Sequence, residues 1–275
     1  MQKMVRRMKL ERELGFIGGG MMADAIINSL INQGYPKEKI MVFDPDPQRQ
    51  QELSGLGIQV LASNAEVAQK AAGVVCAVKP QVLPEVFRNL PYPVQTPFLS
   101  IVAGYSIARL AALLPEGTRI LRAMPNTPGL IQAGITALSS SESASEEDLV
   151  WGQEILGALG KVVIVPERLM DAVTALSGSG PGYVYKFIEA LIDAGVLLGL
   201  SRGLARELTL QTVIGSARMV AESGEHPGVL RDMVTSPGGT TMAGLAEMEY
   251  GGFTGLIYKA LLAAAKKAEE IGQSS

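Results

Sequence analysis

Leu14-Gly15-Phe16-Ile17-Gly18-Gly19-Gly20-Met21-Met22-Ala23-Asp24-Ala25 is the stretch that decides the fold. Leu14–Ile17 is an apolar strand, Gly18 to Ala23 fit G-x-G-x-x-[G/A], and a helical pattern follows over Met22–Gln33. Gly18 permits the tight turn, Gly20 lets the backbone approach a pyrophosphate, and small Ala23 lets the helix pack on the strand. Unpaired N–H groups at the helix start face the phosphate. The segment predicts a βα unit that binds NAD or NADP.

Outward from that unit the same rhythm continues. Strands are predicted at Ile40–Phe43, Gln59–Leu61, Val74–Val78, Phe98–Val102, Arg119–Ala123, Gly134–Ser139 and Lys161–Ile164, all in one sheet. Helices are predicted at Gln48–Leu53, Ala65–Ala71, Leu83–Arg88 and Glu146–Leu159. Alternating strands and helices give a parallel sheet wrapped on both faces. After Val165 the pattern changes to long helices at Tyr183–Leu200, Leu204–Glu222, Ala243–Tyr250 and Phe253–Ile271. The expected division is therefore an extension or disordered segment at 1–13, a nucleotide-binding domain at 14–165 and a helical domain at 166–275. Those helices are rich in Ala, Gly and Leu, and part of their apolar face is expected to meet another subunit.

Composition narrows the partners. The 275 residues carry 24 Lys plus Arg against 27 Asp plus Glu, a formal net charge of −3, with no basic stripe beyond the first dozen residues. Nucleic acid is not the expected partner. No apolar run approaches the ~20 residues of a membrane span. The lone cysteine, Cys76, lies in an apolar run and reads as a buried hydrophobe in a reducing, cytoplasmic setting. No metal site is expected.

Three further positions lie where the carboxyl ends of the strands meet a ligand. Asp44 closes the second strand 24 positions beyond Gly20. A carboxylate there binds adenosine ribose hydroxyls and favours NAD, whereas nearby Arg49 would offset it; Asp44 equally suits the start of the turn Asp44-Pro45-Asp46-Pro47. Val78-Lys79-Pro80 closes the fourth strand, and Lys79 is assigned to cofactor positioning. Ala103-Gly104, after the fifth strand, leaves room for a nicotinamide ring.

Arg122-Ala123-Met124-Pro125-Asn126-Thr127-Pro128, Ser177-Gly178-Ser179-Gly180-Pro181 and Thr235-Ser236-Pro237-Gly238-Gly239-Thr240-Thr241 predict only turns and helix starts by themselves. In this order, behind the glycine loop, they resemble pyrroline-5-carboxylate reductase from Leu14 to the final helix. The resemblance implies an N-terminal Rossmann-type parallel sheet with an all-helical C-terminal dimerisation domain, a homodimer and assembly into a higher oligomer of dimers. It implies reduction of the cyclic imino acid 1-pyrroline-5-carboxylate to L-proline by NADPH or NADH. By position, Ile17, Gly18, Gly19, Gly20, Met21, Met22, Asn64, Ala77, Val78, Lys79, Pro80, Ala103 and Gly104 match the family's cofactor contacts. Glu167, Ser236, Gly239, Thr240 and Thr241 match its substrate region. Met21, where the family often has a polar residue, and Met233, where it can carry an amide, depart from the pattern.

The residue chemistry suits an imine. One histidine, His226, is expected in an exposed Gly224-Glu225-His226-Pro227 turn, so a strong acid/base for alcohol oxidation is missing from the cleft motifs. A protonated imine is already electrophilic and asks for only a hydroxyl donor and a carboxylate cradle. N–H groups around Gly238-Gly239 form the anion site, Ser236 adds a hydrogen bond, and Thr241 is the candidate proton relay. Thr240 and Thr241 as plain helix caps is the competing reading. Two other functions stay open: a β-hydroxyacid dehydrogenase with Lys186 as its cleft lysine, and a non-catalytic NAD(P)-binding redox sensor.

Overall fold

The computed structural model describes residues 12–88 and 90–274, so residues 1–11 of the expected extension lie outside it. Arg12 and Glu13 are tied to the sheet domain. Tyr35 Oη donates to the Arg12 carbonyl at 2.6 Å, Ala72 N–H donates to the Glu13 carbonyl at 2.8 Å, and Arg12 pairs with Glu147.

The described chain forms β1 (Leu14–Ile17), α1 (Met21–Asn32), β2 (Ile40–Phe43), α2 (Pro47–Gly55), β3 (Gln59–Val60), α3 (Asn64–Lys70), β4 (Gly73–Cys76), α4 (Leu83–Phe87), β5 (Phe98–Ser100), α5 (Ile107–Ala111), β6 (Ile120–Met124), β7 (Gly134–Ser140), α6 (Glu146–Gly157) and β8 (Gly160–Ile164). Helices α7 (Met170–Val173), α8 (Gly180–Leu197), α9 (Arg202–Ser223), α10 (Pro227–Met233), α11 (Thr240–Tyr250) and α12 (Phe253–Ser274) complete it. Among the described residues the eight strands make one sheet in the order β3-β2-β1-β4-β5-β6-β7-β8. The first six follow the doubly wound dinucleotide-binding order. Every pairing is parallel except β6 with β7, so the predicted continuation of the sheet occurs with the last two strands reversed.

Residue parity along each strand builds two cores. Phe16, Val42, Val75, Leu99 and Leu121 face Ile26, Ile27 and Trp151 on one side. Ile17, Met41, Val74, Cys76, Phe98 and Ile120 face Val67, Phe87 and Leu110 on the other. Burial on both faces explains the near-continuous apolar strands. Phe98 seals its side edge-to-face with Phe87 and Tyr92, at centroid distances of 5.3 and 5.7 Å. Gly73 is required where Trp151 crosses the sheet, because a Cβ there would lie 2.6 Å from the indole.

Two compact units emerge. One runs to Gly178 and takes in Ala264–Ser275; the other is Ser179–Ala263. The segment just past Val165 belongs with the sheet because it is bonded into it. Ser139 Oγ donates to the Val165 carbonyl at 2.6 Å, Met170 is buried, and Asn126 Nδ2 donates to the Ser177 carbonyl at 3.1 Å. In the second unit α8 packs against α9, where Ala205 meets Gly195. Helices α8 and α11 bury none of their residues, and Leu197, Leu198 and Tyr250 are more than four-fifths exposed.

The short helices α5, α7 and α10 were not expected, although α3 and α4, no longer than α10, were. At α10 the predicted exposed turn around His226 is a helix start: His226 is the N-cap, and its Nδ1 accepts from Gly228 N–H at 3.1 Å.

Candidate active site

The glycine loop is fixed by three hydrogen bonds, two to backbone carbonyls and one to a side-chain carboxylate. Gly18 N–H donates to the Phe43 carbonyl and Ala77 N–H to the Ile17 carbonyl, both at 2.9 Å, while Gly19 N–H donates to Asp44 Oδ2 at 2.8 Å. Gly18 adopts φ +91°, and a Cβ on it would lie 3.0 Å from the Ala77 carbonyl carbon and oxygen. Gly19 is crowded too, since its Cβ would meet Leu53 at 2.5 Å. At Gly20 the situation reverses: nothing lies within 4 Å of where a Cβ would stand.

Gly20 is also the N-cap of α1 and carries no side-chain cap, so the first N–H groups of the helix open onto that space. Ala23 is fully buried and brings the helix against the sheet, whereas Met21 is 69% exposed. Open backbone, unpaired donors and a positive helix end together fit a pyrophosphate. The residues present therefore fit a nicotinamide dinucleotide.

The other predicted cofactor contacts occupy loops of the same domain. Ala77, Val78, Lys79 and Pro80 follow β4, with Lys79 exposed and making no ion pair with a described residue. Asn64 begins α3, half-buried, with its carboxamide hydrogen-bonded to no described residue. Ala103 is exposed, and Gly104 turns the chain at φ +78°. The end of α12 reaches this turn: a Cβ on Gly104 would stand 2.7 Å from Ile271 Cγ2, and Arg109 Nη1 donates to the Gly272 carbonyl at 2.6 Å.

Asp44 starts its turn, as one of its two readings expected, and is also tied to the glycine loop. One carboxylate oxygen accepts from Gly19 N–H, and the other accepts from Asp46 N–H at 3.0 Å, which closes the Asp-Pro-Asp-Pro turn. Sequence reasoning missed what Arg49 does. Its Nε donates to the Gly19 carbonyl and its Nη2 to Asp24 Oδ1, each at 2.6 Å, and Nη1 pairs with Glu52. Burial opposes the guanidinium charge, but the hydrogen bonds to Asp24 and Glu52 outweigh it and raise its affinity for the proton. The acid at the first turn of α1, Asp24, was the available signal.

Among residues matched to the substrate region, Glu167 is held in the sheet domain. Its Oε1 accepts from Ile107 N–H at 2.6 Å, at the start of α5, and from Arg122 Nη1 at 3.0 Å. Ser236 to Thr241 lie in the helical unit. Gly238 has φ +67°, Gly239 N–H donates to the Ser236 carbonyl at 3.0 Å, and Gly239 is the N-cap of α11. A Cβ on Gly239 would collide with Ser236 Oγ at 2.3 Å. No side chain caps α11, so Thr240 and Thr241 are its first two residues rather than its caps. Thr241 is half-buried; Ser236 and Thr240 are exposed.

Two remaining motif positions are structural. A Cβ on Gly178 would press on Met124 at 2.7 Å, whereas Gly180 faces open space and starts α8 ahead of Pro181. Lys186, the lysine required by the dehydrogenase alternative, pairs with Glu189 at 2.7 Å while 79% exposed, and that hydrogen bond raises its pKa. Met233, the last residue of α10, is 69% exposed. Among the described residues no group of three or more His, Cys, Asp or Glu could hold a metal, and no helix is long and apolar enough to cross a membrane.

Comparison with known proteins places both halves. The family model for pyrroline-5-carboxylate reductase dimerisation matches residues 167–271, and one for coenzyme F420-dependent NADP oxidoreductase matches 13–104. A pyrroline-5-carboxylate reductase of Synechocystis is 45% identical over 264 residues, covering 95% of this chain and 98% of that protein. This chain belongs to the pyrroline-5-carboxylate reductase family. Within that family, the enzyme of Pisum sativum is 42% identical over 94% of this chain and 95% of its own. A crystal structure of the Plasmodium falciparum pyrroline carboxylate reductase with NADP bound superposes with a TM-score of 0.87. It shares 35% identity and covers 95% of this chain and 98% of that one.

Proposed function

We propose that this chain reduces 1-pyrroline-5-carboxylate to L-proline by hydride transfer from NADPH or NADH. The observation that carries this reading is the capless start of α1 at Gly20, with open space before it, in a chain aligned along nearly its whole length with pyrroline-5-carboxylate reductases. The nicotinamide supplies hydride when bound. Gly18, Gly19, Gly20, Met21 and Met22 hold the pyrophosphate end; Asn64, Ala77 to Pro80, Ala103 and Gly104 line the remaining length. Lys79 positions the cofactor rather than acting as acid, because a cation beside an iminium would oppose the charge that makes its carbon electrophilic.

In the helical unit the N–H groups of Thr240 and Thr241 have no acceptor within α11 and meet the substrate carboxylate, with Ser236 adding its hydroxyl. Gly238 and Gly239 give the loop its turn. Thr241 hydrogen-bonds the ring nitrogen and relays its proton, which the nitrogen keeps as hydride turns the iminium carbon into that of the amine. Glu167 orients the substrate region by fixing the start of α5 and Arg122.

Helices α8 and α11, with none of their residues buried, suit a homodimer through the helical unit, and a higher oligomer of dimers belongs to the same proposal. The proposed compartment is the cytoplasm, in keeping with one buried, free thiol.

Steady-state kinetics with 1-pyrroline-5-carboxylate against NADH and NADPH test the reading. Thr241→Ala is expected to lower kcat roughly 100-fold, the scale of one lost acid/base contact. Protein that binds NADPH but never oxidises it with this substrate, and that is indifferent to Thr241→Ala, would refute the proposal.

A further inference from the structure

We infer that this chain prefers NADH to NADPH, with Asp44 as the discriminating residue and Arg49 as a positioning residue of the glycine loop. The inference rests on the reductase reading for its biological meaning but on the sheet domain alone for its geometry. A dinucleotide lying on the Gly18–Gly20 loop brings its adenosine ribose to the end of β2, where only the 2′ substituent separates the two cofactors: a hydroxyl in one, a phosphate dianion in the other.

Asp44 stands at that position with its carboxylate fixed from two sides, by Gly19 N–H at 2.8 Å and Asp46 N–H at 3.0 Å. A carboxylate has about four acceptor positions, so those bonds leave it able to accept ribose hydroxyls. They also prevent it from swinging away from a phosphate. The next helix gives no relief, since Asp46 caps α2 by accepting from Gln48 N–H at 2.9 Å and places a second negative charge there.

Arg49 is the cation that would reverse this preference. All three of its nitrogens are directed into the protein, to the Gly19 carbonyl, Asp24 and Glu52, and its side chain is only 23% exposed. Two carboxylates answer one guanidinium, so the cluster has no positive charge left for a phosphate. Arg49 instead ties the glycine loop to α1 and α2, a role that serves both cofactors equally.

Fluorescence titration of the purified full chain with NADH and with NADPH reads binding without turnover. Competition by 5′-AMP and by adenosine 2′,5′-bisphosphate isolates the adenosine end. NADH is expected to bind at least about tenfold tighter, and 5′-AMP to outcompete the bisphosphate. Asp44→Ser should move the NADH-to-NADPH ratio roughly tenfold toward NADPH; Asp44→Asn, which retains an acceptor for Gly19 N–H, should move it the same way if the serine variant misfolds. Arg49→Ala should weaken both cofactors alike. Wild-type protein that binds NADPH as tightly as NADH, or an Arg49→Ala variant that loses NADPH alone, overturns the inference. Absence of turnover with either cofactor would sink the reductase reading instead and leave the binding comparison intact.

Discussion

At Gly18 a backbone requirement and a packing requirement coincide. Its φ of +91° is one that other residues rarely adopt, and the Ala77 carbonyl leaves no room for a Cβ. Gly18→Ala is expected to cost about 1–3 kcal/mol of stability and to weaken dinucleotide binding, read by urea denaturation and cofactor fluorescence. Asp148 is a second sensitive residue. It is 1% exposed, completes the Ser145 capping box of α6 and takes Arg119 Nη1 at 2.9 and 3.2 Å. Removing it strands part-buried Arg119, so Asp148→Ala should lower stability by about 3 kcal/mol in denaturant titrations, and Asp148→Asn, which keeps the cap, by less. Alkali acts through protonated groups. Burial pushes the Cys76 thiol from 9.0 up to about 12 and, with Glu13 reinforcing it, Tyr35 from 10.0 up to about 12. The folded state holds these protons more tightly than the unfolded chain, so their contribution is complete below pH 9 and is lost as pH rises toward 12. Thermal melts across that window should show Tm falling with pH.

Among the elements, every strand and the longer helices were legible in the sequence, as were the short helices α3 and α4, whereas the short α5, α7 and α10 were not. Strands β1 and β2, with α1 between them, follow from Leu14 to Phe43 because the two strands are short, almost wholly apolar runs buried on both faces and α1 repeats its buried residues at helical spacing. The reversal at β7 has no periodic signature. It depends on Asn126, whose Oδ1 accepts from Ile135 N–H at 3.0 Å while its amide holds Ser177, contacts made across the fold. The candidate site was legible to the same degree: the glycine loop from spacing, Ser236 to Thr241 from family likeness, and the Arg49 cluster not at all, since its partners lie on α1 and α2. Helix α10 gives a clean check on His226. As an N-cap, His226→Ala should cost no more than about 1 kcal/mol, His226→Asn should restore it, and neither should lower kcat. A large loss of kcat in both variants would return the histidine to the chemistry.

For the molecule as a whole, the two units differ in how they are stabilised. The sheet unit buries aromatic and branched side chains on both faces, whereas the helical unit leaves Tyr258 66% and Leu262 71% exposed, one turn apart on α12. Coverage by a second copy makes stability depend on protein concentration. Raising the concentration 100-fold is expected to raise Tm, by roughly 2.7 kcal/mol of linkage at most. Tyr258→Asp with Leu262→Asp should abolish that dependence and shift sedimentation away from the dimer; a dimer that survives both substitutions would place the interface elsewhere. The sealed middle of the sheet offers a further use. Cys76, the chain's only cysteine, has no exposed surface, so a thiol-reactive dye reaches it only when the entire domain opens. The natural protein thus carries its own chemical clock, whose ticking slows with each ligand or partner that holds the fold shut.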